Sequence, residues 1–216
     1  MQIDVEKWME ELVSRLHRAL PGRLRFIGLQ GSYRRGEATP QSDIDIVAVL
    51  DRVDLAALDS YRQTVRNMPH GELACGFLCG EDALRHWPKF DLLSLVMDTQ
   101  PYWGALEPLL PAFTPADADA AVKIGASALY HAAVHCYLYD EAPEAALPAL
   151  SKSVFFLLRA RVYRDTGVQC LTRAQLADTA APDEVALLSL VSQASCRDET
   201  ELAYARLISW AAKLLE

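Results

Sequence analysis

No stretch of the 216-residue chain runs apolar for the ~18 positions that a membrane helix requires. A basic surplus is missing as well: Lys and Arg number 21 against 29 Asp and Glu, a formal net charge of −8. Phosphate backbones are gripped by clustered cations, so this balance argues against a broad nucleic-acid face while leaving room for a local nucleotide pocket. The five cysteines (Cys75, Cys79, Cys136, Cys170 and Cys196) are odd in number and scattered. They form no disulfide framework, and Cys75 and Cys79 have no Cys or His set nearby to complete a zinc site. The opening "MQIDVEKWMEELVSRLHRAL" mixes both charges along an amphipathic period, unlike a basic region followed by an apolar run. These absences lead to the expectation of a cytoplasmic protein with reduced thiols. Internal repeats and low-complexity tracts are also lacking.

What is present changes character along the chain. Val5, Trp8, Met9, Leu12, Val13, Leu16 and Leu20 keep a helical period that Pro21-Gly22 ends. "RLRFIGLQG" reads as a strand, Gly31-Ser32 opens a short turn or helix, and "GEATPQS" reads as a loop. "DIDIVAVL" is a strand apolar enough on both faces for the middle of a sheet. Asp54 to Met68 is helical by pattern, and "ELACGFLCG" is a third strand weakened by Gly76. "EDALRHW" opens a helix, while "FDLLSLVMD" is apolar without a clear type. Pro111 and Pro115 then bracket a boundary. Thr114 is placed to N-cap a helix with Pro115 at its first position. The remainder is Ala- and Leu-rich at helical spacing, with Gly167 as a helix stop. The expected architecture is an α+β domain over residues 1–112, a small mixed sheet with helices, followed by an all-α bundle over residues 113–216.

The puzzle lies in "GLQGSYRRGEATPQSDIDIVAVLD". Asp43 and Asp45 alternate with Ile44 and Ile46, so both carboxylates share one face of an otherwise apolar strand. Buried carboxylates side by side are costly unless a cation compensates them. Mg²⁺, which takes oxygen ligands and binds one or two carboxylates together with substrate phosphates, fits that demand. Upstream, Gly31-Ser32 follows a strand, so its backbone N–H groups and the Ser32 hydroxyl are able to cradle a phosphate. Asp-x-Asp alone is common, and a Gly-Ser turn alone says less. Their combination, with eleven residues from Gly31 to Ser42, is specific.

"GSYRRGEATPQSDIDIVAVL" resembles the signature of the polymerase-beta-type nucleotidyltransferase superfamily, strongly over residues 24–50 and as a domain over about 1–110. The added helical part is similar to the antibiotic nucleotidyltransferases and to minimal nucleotidyltransferases that occur with helical partners. The resemblance implies an adenylyltransferase: Mg²⁺-dependent transfer of AMP from ATP to a hydroxyl, pyrophosphate leaving. It carries Gly31, Ser32 and Ser42 over to nucleotide binding, and Asp43 and Asp45 to the metal and to catalysis. It also implies a third carboxylate on the next strand as acceptor base. Glu72 is the first choice, Asp91 the second, and Asp98 a more distant one.

Arg35, with Arg34 beside it, is expected to face the triphosphate, with a solvated loop charge as the alternative. Lys152 opens an apolar helix and is a candidate to reach the phosphates, against the plainer reading of a snorkelling surface lysine. His131 and His135 stand at i, i+4, the spacing of a metal pair, but lack the intervening Glu of a metalloprotease and read as packing or interface histidines. A small-molecule acceptor, aminoglycoside-like in view of the acidic balance, is the leading expectation. The alternatives are a protein acceptor of toxin–antitoxin type and a non-catalytic nucleotide sensor. Partners beyond ATP and the acceptor are not indicated, although a homodimer fits the resemblance.

Overall fold

The computed structural model describes residues 3–216 and divides into two compact units. One comprises the chain up to Pro88 together with Leu95–Ala112; the other comprises Lys89–Ser94 and Phe113–Glu216. No helix among the described residues is long and apolar enough to cross a membrane.

In the first unit, α1 (Val5–Ala19) precedes β1 (Leu24–Gln30), the short α2 (Gly31–Arg35) and β2 (Ile44–Leu50). Next come α3 (Leu55–Arg66), β3 (Ala74–Gly80), α4 (Glu81–Arg85), α5 (Lys89–Asp98), of which only the part from Leu95 belongs to this unit, and β4 (Gln100–Trp103). The strands form one mixed sheet in the order β3-β2-β1-β4. β1 runs antiparallel to β2 and β4, and β2 parallel to β3. The amphipathic period of α1 has the consequence expected of it. Trp8, Met9, Leu12 and Leu16 are buried against Ile44, Ile46, Ala48 and Leu50 on one face of β2. Val47 and Val49, on the other face, are also fully buried, so β2 is the doubly covered central strand its composition predicts.

Two elements differ from the sequence reading. β3 starts at Ala74, not Glu72: His70 takes a left-handed φ of 59°, and Gly71–Leu73 form a 3-10 turn ahead of the strand. β4 was not expected, because Pro101 and a length of four residues hide it. As an edge strand it has one side free of ladder bonds, which is where a proline is tolerated. The uncertain "FDLLSLVMD" is helical, within α5.

The second unit continues with α6 (Pro115–Tyr139), α7 (Leu147–Thr166), α8 (Arg173–Thr179), α9 (Pro182–Gln193) and α10 (Arg197–Lys213). The Thr114 hydroxyl and the Asp117 carboxylate form a capping box at the start of α6, and Gly167 ends α7 at φ +71°. Val122, Ala126, Leu129, Val154, Leu158, Leu188, Ala203 and Leu207 supply the centre of its core. Buried charges there are matched. Glu184, 5% exposed, accepts from Arg161 Nε (2.9 Å) and Trp210 Nε1 (3.0 Å).

Gly76 decides whether β3 can lie beside β2. It sits opposite Ile46 at φ +131°, and a Cβ there would come 2.0 Å from the Ile46 carbonyl oxygen. Gly76→Ala should therefore cost at least about 2 kcal/mol in urea denaturation, from backbone strain and the forced parting of the strands. A loss under about 0.5 kcal/mol would show that β3 is not held in this register.

Candidate active site

The sheet brings the Gly-Ser turn and the aspartates together. Gln30 stands opposite Asp45 in the β1–β2 register, so Gly31 begins α2 directly beside that carboxylate. A Cβ on Gly31 would fall 1.8 Å from Asp45 Oδ2, and φ is +73°, so close approach and backbone conformation both call for glycine. The Gly31 N–H donates to Asp98 Oδ2 (3.0 Å), and the same oxygen accepts from Arg35 Nη1 (3.0 Å). One buried carboxylate oxygen thus holds the first and last residues of α2. Gln30 adds a second tether, donating to the Leu95 carbonyl (3.0 Å) and to Thr99 Oγ1 (2.7 Å) at the end of α5.

The loop returning to the aspartates is shaped locally. Gly36 ends α2 at φ +70°, and Glu37 N–H donates to the Ser32 carbonyl (2.9 Å). Ser42 Oγ accepts from Thr39 N–H (2.9 Å), while Ser42 N–H donates to the Thr39 carbonyl (3.0 Å). The Ser42 side chain is therefore engaged in folding the turn that delivers Asp43. The half-buried Ser32 hydroxyl has no hydrogen-bond partner among the described residues. α2 has only five residues, so its macrodipole is small; with the Gly31 N–H taken by Asp98, the Ser32 amide and hydroxyl are what the turn offers an anion.

The expected site residues fall into two groups. Gly31, Ser32, Asp43 and Asp45 converge at one end of β1 and β2, with Asp43 exposed and Asp45 half-buried against Gly31. Ser42 stands next to them in the chain. Arg35, expected at a phosphate, is turned into the fold: its side chain is 9% exposed and is paired with Asp98 and Glu37. Arg34 keeps a buried Nε without a partner. Asp98, a distant choice for third carboxylate, instead anchors the turn.

Glu72 lies in the 3-10 turn before β3, with its side chain 73% exposed and 3.9 Å from His70 Nδ1. The position beside Asp45 on β3 is Cys75. Side chains alternate along a strand, so this exposed thiol shares the face of Asp43 and Asp45, and β3 itself carries no acidic residue. Cys79 is buried, which pushes its thiol up to about 11 and keeps it unreactive. Asp91, in the first turn of α5, and Lys152, on α7, are exposed residues of the second unit.

Asp98 was not legible as the anchor because it is 67 residues from its partner Gly31. The available signal was an aspartate directly after the apolar run Leu95–Met97, which marks a charge with a buried partner.

The donor set is oxygen-only: Asp45 on β2 and Asp43 immediately before the strand, with the Ser32 hydroxyl turn beside them. That set suits a hard divalent cation together with phosphate oxygens, so Asp43 and Asp45 are the residues that could hold Mg²⁺.

Comparison with known proteins bears on the family and the fold. Residues 9–78 match the family model of the nucleotidyltransferase domain. Among solved structures, the chain is similar to spectinomycin adenyltransferase AAD(9) from Enterococcus faecialis, solved with ATP and spectinomycin. That match has a TM-score of 0.57 and 15% identity, over 97% of this chain and 98% of that one, and is a likeness of fold. A toxin-antitoxin structure with AMP-PNP matches with 24% identity and a TM-score of 0.34, over 46% of this chain and 77% of that one. No curated protein matches.

The anchoring role of Asp98 is testable without any ligand. Asp98→Ala removes one of the carboxylates paired with the buried Arg35 and the acceptor of the Gly31 N–H, and should cost about 3 kcal/mol in urea denaturation. Adding Arg35→Met, which removes the buried cation that Asp98 compensates, should recover more than half of that loss. Equal losses in the single and double variants would contradict the pairing.

Proposed function

We propose a reaction for a chain whose residues 9–78 are a nucleotidyltransferase domain: transfer of AMP from ATP to a hydroxyl of a small molecule. The observation that carries this reading is the contact of Gly31 with Asp45, which sets a phosphate-binding turn against a carboxylate pair. In the proposed reaction the acceptor oxygen attacks the α-phosphorus, the bond to the β-phosphate oxygen breaks, pyrophosphate leaves, and the acceptor proton passes to a base. The Ser32 amide and hydroxyl hold the departing phosphates, while Asp98, bonded to the Gly31 N–H and Arg35, fixes the turn. Asp43 and Asp45 would hold Mg²⁺. When bound, it supplies charge neutralisation at the phosphate oxygens. The chain's own contribution is mostly positioning and electrostatic preorganisation.

A small-molecule acceptor is supported by the fold likeness along nearly the whole chain to an enzyme solved with ATP and spectinomycin. The net charge of −8 favours a cationic acceptor such as an aminoglycoside. Glu72 is the proposed base. It leads into the strand beside the aspartates, and its exposed carboxylate is open to an acceptor.

Label transfer from α-phosphate-labelled ATP, with Mg²⁺ and pooled aminoglycosides, tests the reaction. Asp43→Asn should lower transfer by about 10³-fold at an unchanged melting temperature. Wild-type protein that labels nothing in the pool or in cell extract would sink the reading, and label in a protein band would move the acceptor class to proteins. Once an acceptor is in hand, Glu72→Gln should lower kcat by about 10²-fold and leave KM for ATP unchanged. An unaffected kcat would remove Glu72 from the chemistry.

A further inference from the structure

The C-terminal turn of α6 gathers a donor set that the first unit's chemistry does not use. His135, Cys136 and Asp140 each offer one ligand atom, and these atoms all lie within 4.8 Å of one another. The backbone builds the cluster. Asp140 is the C-cap of α6, and its N–H donates to the Cys136 carbonyl (3.2 Å). There the chain leaves the helix at ψ 137°, which keeps the carboxylate beside the last turn. His135 and Asp140 are exposed and Cys136 is half-buried, so the group opens to solvent. Asp140 has no cationic partner among the described residues, although the chain is rich in surface ion pairs elsewhere.

His131 extends the set. It lies one turn before His135 on the same helix, exposed, with ring centroids 6.1 Å apart. With a metal–nitrogen distance of about 2.1 Å, two imidazoles on one tetrahedral ion have centroids roughly 5 Å apart. A change in side-chain torsion spans the difference. Of the packing and interface roles expected for these histidines, burial in a core does not apply: both are exposed, with each other and the exposed Tyr139 as ring neighbours.

We propose that this turn is a binding site for a divalent transition ion, Zn²⁺ above all, held by His135, Cys136 and Asp140. His131 or water fills the fourth position. The donor chemistry selects the ion. A thiolate with an imidazole favours a borderline-soft metal, whereas Mg²⁺ and Ca²⁺ prefer oxygen alone. Three protein ligands and one exchangeable position suit tetrahedral Zn²⁺. The site is thereby separate in chemistry from the oxygen-only pair Asp43 and Asp45. A bound ion would tie the final turn of α6 to the first residue beyond it.

Titration of the metal-free full-length protein with Co²⁺ tests this, because only a thiolate ligand gives the intense near-ultraviolet sulfur-to-cobalt band. The expected result is a band that saturates at one ion per chain, is displaced by Zn²⁺, persists in Cys75→Ser and vanishes in Cys136→Ser. Cys75→Ser is the required control because that thiol borders Asp45. In competition with a chromophoric chelator, His135→Ala and Asp140→Asn should each weaken Zn²⁺ by more than about tenfold, the least that loss of even an outer-shell partner brings. Cys75, His135 and Asp140 are exposed and Cys136 is half-buried against the core, so circular dichroism is used to establish that each variant folds. Absence of the band, its survival in Cys136→Ser, or its loss in Cys75→Ser would overturn the site.

Discussion

Gly31 has a carboxylate on either side. Asp98 Oδ2 takes its N–H at 3.0 Å, and Asp45 Oδ2 occupies the place where any other residue would carry a Cβ. Two carboxylates this close to one backbone position repel each other unless each has its own compensation. For Asp98 that compensation is Arg35, drawn from the far end of the same short helix. The helix, the end of α5 and the two central strands are thereby locked to a single point. Gly31 and Arg35 are fixed by the same buried oxygen. Arg35 thus serves the shape of the turn from inside the fold.

The proposed reaction follows from that constraint. A glycine pressed against a carboxylate leaves its turn close to whatever the carboxylate binds. The oxygen-only donors of Asp43 and Asp45 suit a hard cation, and the amide and hydroxyl of Ser32 suit phosphate. β3 completes the picture differently from the expected pattern. Its register brings the thiol of Cys75 alongside Asp45, while the acidic residue, Glu72, stands in the turn that precedes the strand. The strand itself carries no carboxylate, and the nearest one in sequence, Glu72, stands at its entrance.

Much of this was legible in the residues. The alternation of Asp43 and Asp45 with isoleucines put both on one face, and the fully apolar run to Leu50 marked β2 as a central strand. The helical half announced itself through Thr114-Pro115 at one helix start and Gly167 at another helix end. What escaped depends on contacts distant in sequence or on local backbone choices. Nothing near Gly31 reveals that its partner is Asp98, and a four-residue edge strand containing Pro101 carries no periodic signal. The left-handed His70, which delays β3 past Glu72, is a conformation that a non-glycine residue gives little warning of. The cluster at the end of α6 was half visible, since the His131–His135 spacing was evident but the turn that folds Asp140 back onto Cys136 was not.

Calorimetric titration of ATP into wild-type protein and Gly31→Ala, each with and without Mg²⁺, tests most directly whether the Gly31–Asp45 contact is a phosphate and metal site. The account predicts that ATP binds the wild type with Mg²⁺ and much more weakly without it. With Mg²⁺ present, Gly31→Ala should bind at least tenfold more weakly than wild type, a loss of about 1.4 kcal/mol. ATP binding indifferent to both the metal and the added methyl would contradict it, placing the nucleotide away from Asp43 and Asp45.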